Sequence, residues 1–156
     1  MAIPLIEQVK IQARVLVPLV KALRAELDEE RANAVVRKAI GDLYRGLGRE
    51  AWQRLGAGGT EEKLDKTWKS FSAGDALNYK VLNKTPDAFE LDVKECQYAK
   101  FYRELGEPEL GFMLVCSQDF TFFEGYGGVD LKRTQTIMQG ASHCDFRYRL
   151  EREKEA

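Results

Sequence analysis

The sequence predicts an α+β domain, with N-terminal helices packed on an antiparallel sheet of about four strands and two further helices between its two hairpins. Two observations carry this. Apolar residues recur at three- and four-residue spacing over residues 1–73 and then switch to strict alternation at 77–81 and 89–93. Helical spacing then returns at 96–123 before a second alternating pair, so strands and helices are grouped and do not interleave as βαβ units.

Ile6, Val9, Ala13, Leu16, Val20 and Leu23 form the stripe of a first helix entered at Pro4, and Pro18 predicts a kink or break in it. Asp28 can cap a second helix, with Glu29 and Glu30 at its positive end. Its expected buried stripe is Val35, Val36, Ala39, Ile40, Leu43, Leu47 and Trp52, ending at "GAGG", 56–59. Thr60 is the expected cap of a third helix carrying Leu64, Trp68 and Phe71. "NKTPD", 83–87, is a turn between strands, making residues 77–93 a hairpin. A helix follows from Cys96 to Leu105, and another from Pro108 to about Phe123, closed by "EGYGG", 124–128. Strands at about 129–139 and 143–151 complete the pattern. The chain reads as one domain: a helical N-terminal region (1–73), an α+β region (74–151) and a charged tail (152–156).

Composition narrows the function. At 156 residues the chain can bury about 70% of its unfolded surface. Its 24 Lys and Arg offset 25 Asp and Glu, so no basic field exists to draw it onto nucleic acid or an anionic membrane. Apolar runs such as "VLVPLV" are too short to span a bilayer. Glu7 interrupts the run a secretory leader would need, so a cytoplasmic protein is expected. Cys96, Cys116 and Cys144, odd in number and far apart, suit reduced thiols. With the lone histidine they lack the short ligand spacing of structural zinc sites, so no metal is expected.

The chemistry concentrates near the C-terminus. The strand at 129–139 has no clean face: one side carries Arg133 and Gln135, the other Thr134 and Thr136. That suits a pocket for a polar ligand, with Arg133 as carboxylate clamp, and equally an exposed edge strand with mixed faces. Cys116 and Asp119 stand three apart on one side of a largely apolar helix. His143 offers acid–base chemistry near neutral pH. It shares a site with Cys144 only if the strand begins irregularly, because neighbours on a regular strand face opposite ways.

"CQYAKFYRELGEPELGFMLVCSQDF" followed by "LKRTQTIMQGASHCDFRY" resembles the L-2-amino-thiazoline-4-carboxylic acid hydrolase family. The likeness rests on Cys96 before Tyr98-Ala99, Gly106, Cys116-x-x-Asp119, Arg133-Thr134-x-Thr136, Gly140 and His143-Cys144-Asp145-Phe146, and covers about residues 70–150. A more distant likeness is to vinyl-reductase-type small-molecule-binding domains. The resemblance implies hydrolysis of a cyclic amidine without a redox cofactor. Cys116 or Cys144 could attack the amidine carbon, or Asp119 or His143 could activate water. Cys116 is favoured as nucleophile, Asp119 as amidine anchor or base and His143 as acid–base, with Cys144 close behind Cys116. Arg133, Thr134, Thr136 and Cys96 are the expected substrate-binding residues, and the substrate a small, carboxylate-bearing molecule. The alternative is a binding or sensing domain with the same pocket and no turnover. The N-terminal helices offer a surface on which copies of the chain could associate.

Overall fold

A computed structural model describes residues 3–151, so the tail predicted at 152–156 lies outside the described residues. Helix α1 (Leu5–Glu26) packs on α2 (Glu29–Leu55), and α3 (Thr60–Phe71) leads into the sheet. Strands β1 (Leu77–Thr85) and β2 (Ala88–Cys96) form the first hairpin. Helices α4 (Gln97–Glu104) and α5 (Pro108–Gly111), a π-helical turn (Phe112–Cys116) and α6 (Gln118–Glu124) follow. Strand β3 (Val129–Lys132), a 3-10 turn (Ile137–Gln139) and β4 (Cys144–Leu150) end the fold. All pairings are antiparallel, in the order β1-β2-β4-β3, as the α+β reading requires.

One sheet face carries Phe89, Leu91 and Val93 of β2 and Phe146, Tyr148 and Leu150 of β4, all buried with Leu64 and Trp68 of α3 and Phe123 of α6. The other face is polar, with Arg147 on Asp92 at 2.9 Å. Side chains alternate across a strand, so one layer of helices suffices to cover such a sheet.

Several local expectations are corrected. No break occurs in α1 at Pro18. Pro18 and Arg14 are exposed, so water can take up the carbonyl that the missing N–H leaves free. Asp28 does cap α2, accepting from the Arg31 N–H at 2.8 Å, whereas the cap position of α3 is Gly59 and Thr60 is its first helical residue. The buried side of α2 is Ala32, Val36, Gly41, Gly48 and Ala51, while Val35, Leu43 and Leu47 stand exposed. Small residues, not the most apolar ones, mark the packed face. A Cβ on Gly48 would lie 1.8 Å from the Phe122 carbonyl oxygen, and one on Gly125 2.4 Å from that of Arg45. Glycine lets α6 rest directly on the backbone of α2.

The strand expected over 129–139 stops at Lys132. Asp145 takes over from the ladder: its Oδ1 accepts the N–H groups of Thr134 at 2.8 Å and Gln135 at 3.0 Å, and its Oδ2 binds the Thr134 hydroxyl. Thr136 caps the 3-10 turn, and Gly140 (φ 102°) supplies the left-handed step that ends it. The mixed faces seen in the sequence therefore belong to an irregular connection stapled by side chains.

Candidate active site

A cavity of about 680 Å³ lies between the helices and the sheet. Its inner wall brings together Cys96, Cys116, Asp119, Arg133, Thr136 and Cys144, six of the eight residues singled out from the sequence. Apolar side chains of α1, α2 and α3 form much of the rest, and exposed Gln8, Glu50, Arg54 and Ser70 stand at its outer side.

The π-helical turn sets the inner wall. Its wider winding carries the Ser117 N–H to the Phe112 carbonyl at 2.8 Å. The Met113 carbonyl is taken up by the Ser117 hydroxyl at 2.7 Å and the amide of buried Gln118 at 3.0 Å. The Cys116 carbonyl turns toward Arg133, whose Nη1 donates to it at 3.0 Å and to Asp119 Oδ2 at 2.8 Å. Only 3% of the Arg133 side chain is exposed, and its guanidinium carbon lies 4.9 Å from the Phe120 ring centroid and 5.3 Å from that of Phe146. A buried charge of this kind needs such a partner, and aromatic faces add to its stabilisation.

Asp119 lies deep in the protein yet keeps 26% of its side-chain surface open, and that surface faces the cavity. Its Oδ1 accepts no hydrogen bond among the described residues. Burial pushes its carboxyl up to about 6, against the opposing pull of the Arg133 cation. The same burial raises the thiols: Cys96 to about 11, Cys116 well above its ordinary value, and Cys144 upward. Burial thus disfavours the thiolate at all three. Cys96 Sγ accepts from the Ala99 N–H at 3.4 Å as the cap of α4, and Cys144 Sγ from the Ile137 N–H at 3.2 Å.

The other two predicted residues lie outside the cavity wall. Thr134 is exposed and bound to Asp145. The His143 ring lies against Gln135 Nε2, at 3.2 Å, and the Ser142 hydroxyl, at 2.9 Å. It is the residue before β4, and alternation sends its side chain away from the Cys144 side. Thr136 lines the cavity, but its hydroxyl donates to Gln139 Oε1 and accepts from the Gln139 N–H.

Tyr44 joins the site without a motif to announce it. It projects from α2 into the cavity, and its hydroxyl makes no hydrogen bond among the described residues. Burial and the nearby Asp119 charge push it up to about 12, so it stays a phenol. Its one sequence signal is a polar group beside Leu43 in a stripe that reads as apolar.

The arrangement is a buried acid–cation pair at the base of a largely apolar cavity. Over residues 8–148 the sequence matches the family described as L-2-amino-thiazoline-4-carboxylic acid hydrolase, and the chain belongs to that family. The match reaches across α1–α3, where no motif is legible, and supports a hydrolase-like function at the level of the family. No curated protein matches the chain. Among the described residues no group of three or more His, Cys, Asp and Glu could hold a metal ion, and no helix is long and apolar enough to cross a membrane.

Proposed function

We propose that this protein hydrolyses a cyclic amidine of the 2-aminothiazoline-4-carboxylate type, opening the ring to an N-carbamoyl thiol. The observation that carries the reading is the Asp119–Arg133 pair at the cavity wall, with one carboxylate oxygen unpaired. Such a substrate is itself a zwitterion, its amidinium and carboxylate separated by a single ring carbon. An adjacent carboxylate and guanidinium match that pattern, and charge-assisted bonds to both would fix its orientation.

In this reading the free oxygen of Asp119 takes a proton from a water that adds to the amidine carbon. The C–S bond breaks with its electron pair on sulfur, and Asp119 returns the proton to it. The second water proton leaves to solvent as the carbonyl forms, so each turnover yields one thiol and one proton. The Tyr44 hydroxyl, a neutral donor beside Asp119, can stabilise the oxygen while it carries charge. The three thiols, held protonated, are weak nucleophiles and belong to the wall.

The test is direct. Purified protein given 2-aminothiazoline-4-carboxylate should release thiol and acid in equal amounts, and its intact mass during turnover should show no adduct. Absence of ring opening would remove the hydrolase reading. An adduct on Cys116 that water then resolves would replace water activation by the covalent route.

A further inference from the structure

We infer that the ligand of this cavity is larger than a bare thiazoline: a cyclic amidine carboxylate bearing an apolar, ring-sized arm that lies along the helical side of the cavity. The head group rests on the reading above; the arm goes beyond it. The cavity, at about 680 Å³, falls among sites that enclose drug-sized ligands, about 300–1,000 Å³. An aminothiazoline carboxylate has about nine non-hydrogen atoms, at most about 270 Å³ even at the ~30 Å³ of a liquid water each. More than half of the cavity would then be left to water.

That remainder suits water poorly, because its walls offer few polar partners. The aromatic side runs continuously from the charged pair. Arg133 lies over Phe146 at 5.3 Å, Phe146 meets the edge of Trp68 at 4.6 Å, and Trp68 meets Phe71 at 5.7 Å. The Trp68 Nε1–H already donates to the Tyr148 hydroxyl at 3.0 Å, so Trp68 offers the cavity no free donor. Phe71, Leu55 and Leu77 line the cavity and are only part-buried, as an unfilled apolar wall would leave them. Of the buried polar lining residues beyond the head site and Tyr44, Thr67 bonds Tyr126 through its hydroxyl, Tyr98 the Phe71 carbonyl and Thr136 Gln139. Exposed Gln8, Glu50, Arg54 and Ser70 stand at the outer side, which places an apolar arm between the Asp119–Arg133 head site and the mouth.

The probes are 2-aminothiazole-4-carboxylate, an aromatic analogue that resists ring opening, and its 5-phenyl derivative, titrated calorimetrically into the intact protein. The wild type should bind the phenyl derivative at least about tenfold more tightly, the scale set by filling an apolar pocket. Leu55→Phe and, independently, Leu77→Phe should abolish that preference and leave the parent's affinity within about twofold. Equal or weaker binding of the phenyl derivative by the wild type, or no binding of either compound, overturns the inference. Because neither probe is turned over, a tenfold preference stands even if ring opening of the thiazoline is never seen, which would sink the hydrolase reading alone.

Discussion

Asp119 is held between two opposing effects. Leaving water disfavours its charge, Arg133 restores much of what is lost, and the balance falls at about 6. The carboxyl value is thus raised above the ~3.9 of an unfolded chain. A raised value means that the folded protein favours the neutral carboxyl. The associated stability is complete below about pH 4 and lost as pH rises through about 6. At neutral pH the ionised pair is the less comfortable form, which is a cost expected of a working group more than of a structural one. Activity should carry the opposite sign. If the carboxylate accepts the proton, kcat/KM should rise about tenfold per pH unit below about 6 and level off above it. A rate independent of pH between about 5 and 7 would take Asp119 out of the proton path. The residue types are legible in the sequence: a thiol and an acid on one helical side, with an arginine where a strand should be clean. The partnership of Arg133 with Asp119 is not, because it depends on a π-helical turn that no spacing rule announces.

Elements explain why the site holds together. The apolar repeat over 108–123 reads correctly as helix, but the π turn inside it arises from Ser117 and Gln118 competing for the Met113 carbonyl. The same competition ends β3 early, where Asp145 outcompetes the ladder for two backbone N–H groups. Side-chain bonds of this kind leave no periodic trace. On α2 a reading by apolarity finds Val36, Ile40 and Trp52 but also takes in exposed Val35, Leu43 and Leu47. It misses Gly41 and Gly48, which carry the packing against α6. Gly48→Ala should therefore force α6 outward and take Asp119 with it. We expect a loss of at least about 1–3 kcal/mol in urea unfolding. Turnover should fall more steeply than the folded fraction. An unchanged unfolding midpoint would show that α6 does not bear on Gly48.

At the scale of the molecule the site is an assembly of distant pieces. Tyr44 comes from α2, Cys96 from the end of β2, Cys116 and Asp119 from either side of Ser117, Arg133 from the loop after β3 and Cys144 from β4. Alternation and helical period foretell the layers, because each layer is fixed by its own local pattern. They cannot foretell a cavity, which is the volume left where separate segments fail to close. Nor can they set its walls apart from the core, since Phe71 and Leu77 look like any other apolar residues in their elements. That shared volume is what gathers three thiols and Arg133 from separate elements around one open carboxylate. The measurement that tests it most directly is hydrolysis of 2-aminothiazoline-4-carboxylate in ¹⁸O-labelled water by the wild type and by Asp119→Asn, followed by mass spectrometry of the product. The wild type should place one ¹⁸O in the new carbamoyl group, and folded Asp119→Asn should be slower by about 100-fold or more. Equal rates in the two proteins would contradict the account.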